Sequence, residues 1–431
     1  MSLFGAMLTA VGGLQANSSA LSVTSSNIAN VNTTGYKDST TAFSTLVAQV
    51  SGGGNTSGVK ATTVKHVSNQ GLLTATSNRT DLAVNDGEGF FICSTSPSNT
   101  ANVEYTRAGD FTTNKSGYLV NSAGLYLLGY SLDASGAGTT SQSLGLINLK
   151  NVAGIAEATS KATLTGNLES TTEGDGVTAD YSTNVNLYDS QGGVRTTKIS
   201  FTKSTTNANT WSYTINYTGN PADVTGGSST LDTGTLTFNS DGSLKSVTSS
   251  KGTVDLSSNS TAGTVKLPID WSTSAGVADQ TVSFDFGTVG GTDGFTQYAT
   301  TSTATNKVNG AVYGDVSSLS IGTDGIITAT YTNGLTKDIY QIPLATFANP
   351  DGLEATSGTA YTTTDASGTA TITSAGSNGA GTISSKELED STVDLATELT
   401  DLITTQRAYT ACAKIVTTST NMLDVLVNMG S

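Results

Sequence analysis

The chain has 431 residues, 48 of them Gly and only 5 Pro, with 36% hydrophobic and 12% charged side chains. That is material for two to four domains, carrying about half the usual share of charge. Its 19 basic and 34 acidic residues give a net charge of −15 with no basic run, which argues against nucleic acid and against electrostatic binding to anionic lipid. The abundance of Gly, Ser and Thr is the profile of a β-rich protein with many turns and hydroxyl-covered surfaces.

No charged side chain precedes Lys37. Within that stretch Met7, Leu14, Leu21 and Ile28 recur every seven residues, and Leu3 and Ala10 begin a second row that Asn17 and Thr24 interrupt. The spacing predicts an N-terminal helix with a heptad seam. Gly12 and Gly13 each cost about 1 kcal/mol relative to Ala, so the isolated helix is marginal. The Asn and Thr cluster before Gly35 ends the helix, and Gly35 permits a positive-φ turn out of it. Residues 31–70 are expected to form an extended linking segment. No stretch is long and apolar enough to cross a membrane, and the start shows neither the basic region nor the apolar core of a secretory signal.

Strand signals separated by turn residues fill the middle of the chain. GFFICS, VEYTRAGDF, GYLV and GLYLLGY follow one another over residues 89–130, with turn clusters NKSG (114–117) and NSAG (121–124). Trp211, Tyr213, Ile215 and Tyr217 alternate with Ser212, Thr214 and Asn216, the pattern of a half-buried strand. This row fits a sandwich or barrel core, or less simply a sugar-binding face. IITATY and LTKDIYQI flank the hairpin signal Thr332-Asn333-Gly334. Residues 355–383, rich in Ser, Thr, Gly and Ala, read as a linker or a weakly ordered edge. From about 384 a helical pattern resumes. Leu388, Leu395, Leu402, Tyr409, Val416 and Leu423 lie seven apart, with Leu399, Gln406, Ala413 and Thr420 as the second row. Ser384 and Glu387 have capping-box spacing. The same pattern fits a helical hairpin packed on the chain's own core or an oligomeric coiled coil.

Candidate chemistry is sparse. The single histidine, His66, excludes a multi-histidine zinc site and makes a histidine triad untenable. Cys93 and Cys412 fall in segments of different kind, a strand and a helix, and do not read as a disulfide framework. Asp86, Asp241, Asp293, Asp324 and Asp351 each precede Gly, which marks turns rather than a paired-carboxylate cleft. Asp-Gly loops also recur in calcium-binding repeats, but no EF-hand or nonapeptide spacing is present. No catalytic residue, metal ligand or cofactor is assigned.

The two ends carry a resemblance. SLFGAMLTAVGGLQANSSALSVTSSNIANVNTTGYK, above all Asn27, Asn30, Asn32, Gly35, Tyr36 and Lys37, resembles the N-terminus shared by bacterial flagellar rod and hook proteins. VDLATELTDLITTQRAYTACAKIVTTSTNMLDVLVNM (393–429), with Gln406 and Arg407 in its clearest run, is similar to the family's C-terminal helix. Two internal blocks, 89–130 and 320–354, also match in order, and a long β insert between them is a trait of the hook branch. The resemblance implies a mainly β, multi-domain structural subunit whose terminal helices pair as a coiled coil. It would polymerise helically into a curved, flexible tube, a universal joint passing torque from rod to filament. Its partners would be further copies of itself and the rod, hook-cap and hook–filament junction proteins. It would reach the flagellum through the flagellar type III export apparatus. The implied domains are 1–30 with 384–431, 31–70, 71–148 with 305–383, and an outer insert at 149–304. Met7, Leu14, Leu21, Ile28, Leu395, Leu399, Leu402, Tyr409, Val416 and Leu423 would form the assembly interface. Within the family the distal rod protein is the alternative; outside it, a secreted adhesin or surface-layer protein shares the composition, and a glycan-active β enzyme is more distant.

Overall fold

A computed structural model describes residues 3–50, 54–97, 99–132, 143–150, 152–254 and 262–429. The fold is mainly β, with one long helix at each end: α1 (Leu3–Ala29) and α2 (Leu395–Met429). The chain divides into two compact units, Met1–Val152 with Ser318–Thr330 and Thr336–Ser431, and Ala153–Ser317 with Tyr331–Leu335.

In the first unit, the segment expected to be an extended link instead doubles back. Strands β1 (Ser39–Val50) and β2 (Gly54–Lys65) form a two-stranded antiparallel hairpin, in register from Ser39↔Lys65 to Val50↔Gly54. Phe43 and Val59 face α1, where they line a groove with Ala6 and Ala10. Beyond the hairpin, the unit's sheets interleave early and late parts of the sequence. Strand Phe90–Ser96 pairs with Asn99–Thr106, Tyr126–Ser131 and Pro343–Thr346. Strand Leu82–Asn85 pairs with Thr382–Ser385, and Leu73–Ala75 with Glu387–Glu389. Successive side chains of a strand point to opposite faces. Phe91 and Cys93 therefore join a core with Leu82, Phe111, Leu127 and Leu344, while Phe90 and Ile92 join a second with Tyr105, Phe347 and Tyr361. Burial on both faces explains why GFFIC shows no polar alternation.

Two further expectations in this unit need correction. Residues 355–383 are not a linker. Ala360–Thr362 pairs with Asn99–Thr106, Thr371–Ser374 pairs with Pro343–Thr346, and Ala360, Tyr361, Ala380 and Ile383 are buried. Their small residues mislead because they occupy tight turns and close strand contacts. The helix also does not begin near Ser384. Ser384 and Glu387 lie in strands, as does Leu388, and Asp394 caps α2 by accepting hydrogen bonds from the Ala396 and Thr397 amides.

The second unit holds two larger sheets beside a two-stranded pair of Ile155–Glu157 with Ala311–Gly314. A five-stranded antiparallel meander runs Tyr181–Tyr188, Val194–Lys203, Thr210–Tyr217, Thr230–Phe238 and Leu244–Val247. The other sheet centres on Lys161–Asn167 and Gln280–Thr288, which pair parallel. Apolar faces of both sheets share one core containing Trp211, Tyr213, Ile215, Phe201, Leu236, Phe284 and Phe295. The aromatic row thus packs inside and offers no sugar-binding face. Strand Thr303–Val308 pairs with Lys161–Asn167 along its whole length, so the chain crosses the expected 304/305 boundary while still inside this unit.

Candidate assembly surface and the junction behind it

One side of α1 is built from small residues. Ala10, Gly13, Ala16, Ala20, Thr24 and Asn27 are buried; steps of three and four residues keep them on one face. Glu398, Leu402, Thr405, Cys412, Val416 and Ser419 form the least exposed stripe of α2. The helices pack antiparallel: Gly13 lies against Cys412, and Asn27 Nδ2 donates to Glu398 Oε1 at 2.7 Å. A Cβ on Gly13 would come within 2.9 Å of Cys412 Sγ. The glycine that weakens the isolated helix is therefore what lets the two backbones approach.

The large apolar residues lie beside or opposite this contact. Met7, Leu14, Leu21 and Ile28 are half-buried, as are Leu402 and Val416. Leu395, Leu399, Tyr409 and Leu423 are exposed, together with Ile403, Ile415, Met422 and Val425. Gln406 and Arg407 are exposed on α2, and Asn32 is exposed past the end of α1. An array of exposed large apolar side chains on one helix is surface that needs a partner.

The other positions of the opening motif do internal work. Asn27 is buried and uses both ends of its amide. Nδ2 donates to Ser39 O (2.8 Å) and to Glu398, while Oδ1 accepts from Ser39 N (3.2 Å) and the Tyr36 hydroxyl (3.3 Å). It thereby joins α1, the start of the hairpin and the start of α2. Asn30 Nδ2 donates back to Ser26 O at 2.8 Å, and its Oδ1 accepts from the Thr33 hydroxyl, closing the helix end. Burial raises the Glu398 carboxyl above the ordinary glutamate range, Asn27 opposes the shift, and the carboxylates of Asp401 and Asp38 add to it. A carboxyl whose pKa is raised on folding is stabilised in its protonated form. Its contribution to stability therefore grows as pH falls through the raised value and is complete below the ordinary one. Glu398→Gln should make the α1–α2 pair more stable at neutral pH and flatten this dependence; amide exchange along α2 at neutral and mildly acidic pH reads both changes.

Behind Asn27 lies a junction that sequence reasoning missed. Glu389, fully buried, accepts from Lys37 Nζ at 2.5 Å, from Arg107 at 3.2 Å and from the Gly71 amide at 2.7 Å. Lys37 and Arg107 are themselves 4% and 1% exposed. Lys37 also donates to Asn69 O, while Arg107 donates to Gly87 O and stacks over the Phe90 ring at 5.0 Å. Burial pushes both cations below their usual pKa and Glu389 pulls them back. Gly35, at φ +67°, donates its amide to Glu389 O at 2.7 Å; a Cβ there would sit 2.6 Å from the Ala108 nitrogen. Heptad spacing places Glu389 in an acid-rich helix start, which hides it. The signal that could have found Arg107 is YTRAGDF, where one basic residue interrupts an otherwise strand-like run. Among the described residues no three His, Cys, Asp or Glu side chains gather as a metal site.

Four protein families match along the chain: the flagella basal body rod protein at residues 7–37, the flagellar hook protein FlgE/F/G D1 domain at 84–220, the flagellar basal body protein FlaE D2 domain at 158–311, and the C-terminal region of the basal body rod FlgEFG proteins at 384–429. The chain is 35% identical over 433 residues to the flagellar hook protein FlgE of Brucella melitensis, covering 100% of both chains. It is 36% identical over 439 residues to that of Rhizobium meliloti, again covering 100% of both. With that of Salmonella typhimurium it shares 32% identity over 432 residues, covering 97% of this chain and 98% of the relative.

Proposed function

We infer that this chain, which belongs to the flagellar hook protein family, is a structural subunit of the bacterial flagellar hook and assembles with copies of itself. The observation that carries self-assembly is the exposed apolar side of α2, with Leu395, Leu399, Ile403, Met422 and Val425 each 44–59% exposed in the single chain. Such a surface is stable in water when another copy covers it. In this reading the terminal helices form the inner wall of a tube. Coiled-coil seams between copies hold the wall, using Met7, Leu14, Leu21 and Ile28 with Leu395, Leu399, Leu402, Tyr409, Val416 and Leu423. The tube ends meet the rod, the hook cap and the hook–filament junction, and subunits travel through the flagellar type III apparatus. The subunit bends and passes torque and has no catalytic role. Low charge on the second unit supports sliding between neighbours, because fixed ion pairs favour one register.

Leu399→Asp combined with Ile403→Asp tests the surface. These side chains point to solvent in the monomer, so far-UV circular dichroism should be unchanged. Burying two carboxylates at every repeated contact should abolish filaments in electron micrographs. Filaments indistinguishable from those of the unmodified chain would remove α2's outer side from the interface.

A further inference from the structure

A cleft of about 270 Å³ lies between the exit from α1, the end of β2 and the 355–361 segment, and the opening motif contributes Asn30, Tyr36 and Lys37 to its lining. Lys65, Thr356 and Thr359 face it from the other elements, and no Asp or Glu lines it. In a chain with 34 acidic and 19 basic residues, a lining with Lys65 and no carboxylate runs against the overall sign, while Lys37 is already neutralised by Glu389 behind it. An ammonium has three N–H donors. Lys37 gives one each to Glu389 and Asn69 O, which leaves one; Lys65 gives one to Leu353 O at 2.7 Å, which leaves two. Thr356 Oγ1 is buried with no partner among the described residues. Thr359 is held at φ +55°, a costly conformation for a β-branched side chain and one that gathers at ligand sites.

We propose that this cleft receives a carboxylate side chain from a second copy of the chain, the Lys65 ammonium donating to it, with the Lys37 ammonium and the Thr356 hydroxyl behind the contact. This rests on the self-assembly reading. Charge complementarity selects the occupant: the surface available in a homopolymer of this chain is rich in carboxylates, and the Lys65 ammonium, already fixed by Leu353 O, needs little reorganisation to hold one.

Two measurements on the full chain test it. In the monomer, acetate as probe should shift the amide resonances of Lys65, Thr356 and Thr359, and Lys65→Glu should abolish the shifts. In polymerisation, Lys65→Glu should raise the critical concentration by roughly tenfold and Lys65→Ala by less, with thermal melts of both variants matching the unmodified monomer. Absence of the acetate shifts overturns the carboxylate site. Acetate shifts with an unchanged critical concentration in Lys65→Glu overturn the second copy as occupant and assign the cleft to free anions, while self-assembly stands. Failure of the unmodified chain to polymerise overturns the self-assembly reading and this proposal with it.

Discussion

Replacing Glu389 by Ala should cost the first unit roughly 3–5 kcal/mol, because breaking a buried ion pair leaves its partners charged and unpaired. Here two partners are stranded. Lys37 and Arg107 are at most 4% exposed, and neither can turn to water without disturbing Asn69 or Gly87, whose carbonyls they also hold. The Gly71 amide loses its acceptor as well. Urea unfolding followed by circular dichroism measures the loss, and a change below about 1 kcal/mol would mean that the cations find other acceptors. Replacing all three charges together by Met, Met and Leu should recover most of the stability, since apolar replacements of similar volume remove the desolvation cost with the attraction. The junction's value then lies in fixing where α1 ends and α2 begins.

Trp211→Ala should cost roughly 3–5 kcal/mol, confined to the second unit. Trp211 is fully buried among residues of both sheets, and its indole nitrogen has no hydrogen-bond partner among the described residues. The loss is therefore packing and cavity rather than polar contact. Calorimetry of the full chain should resolve two transitions, one shifted down and one unmoved, with helical circular dichroism retained through the first. A single transition lowered as a whole would show that the two units unfold cooperatively and would contradict an independently folded insert.

Periodicity carried the sequence reading where one physical cause dominates. The Trp211–Tyr217 alternation is core because only one face of that strand is covered, and Thr332-Asn333-Gly334 is a hairpin turn because Gly334 takes φ +84°. Legibility fails where two causes compete. Leu388 continues the heptad by coincidence of spacing, yet its neighbour Glu389 is required in a strand by Lys37 and Arg107, more than 280 residues away in sequence. Long-range ion pairing leaves no local pattern. The hairpin of β1 and β2 was hidden for another reason: over 40–46 and 58–64 its side chains are mostly exposed, so no sharp alternation marks them. On the helices, spacing finds the large residues, whereas the contact itself is made by Ala10, Gly13, Ala16 and Ala20, which hydrophobic periodicity barely counts.

The second unit holds the ion pairs Lys161–Asp285, Arg195–Asp189 and Arg195–Asp223. Many further links across its surface are made by hydroxyls, such as Thr235 with Thr248, Thr233 with Ser250 and Thr165 with Thr305. Dissolved salt weakens attraction between exposed charges but leaves bonds between neutral groups almost untouched. A swimming cell that passes from fresh water to brine would carry this part of its hook through the change with its fold equally firm.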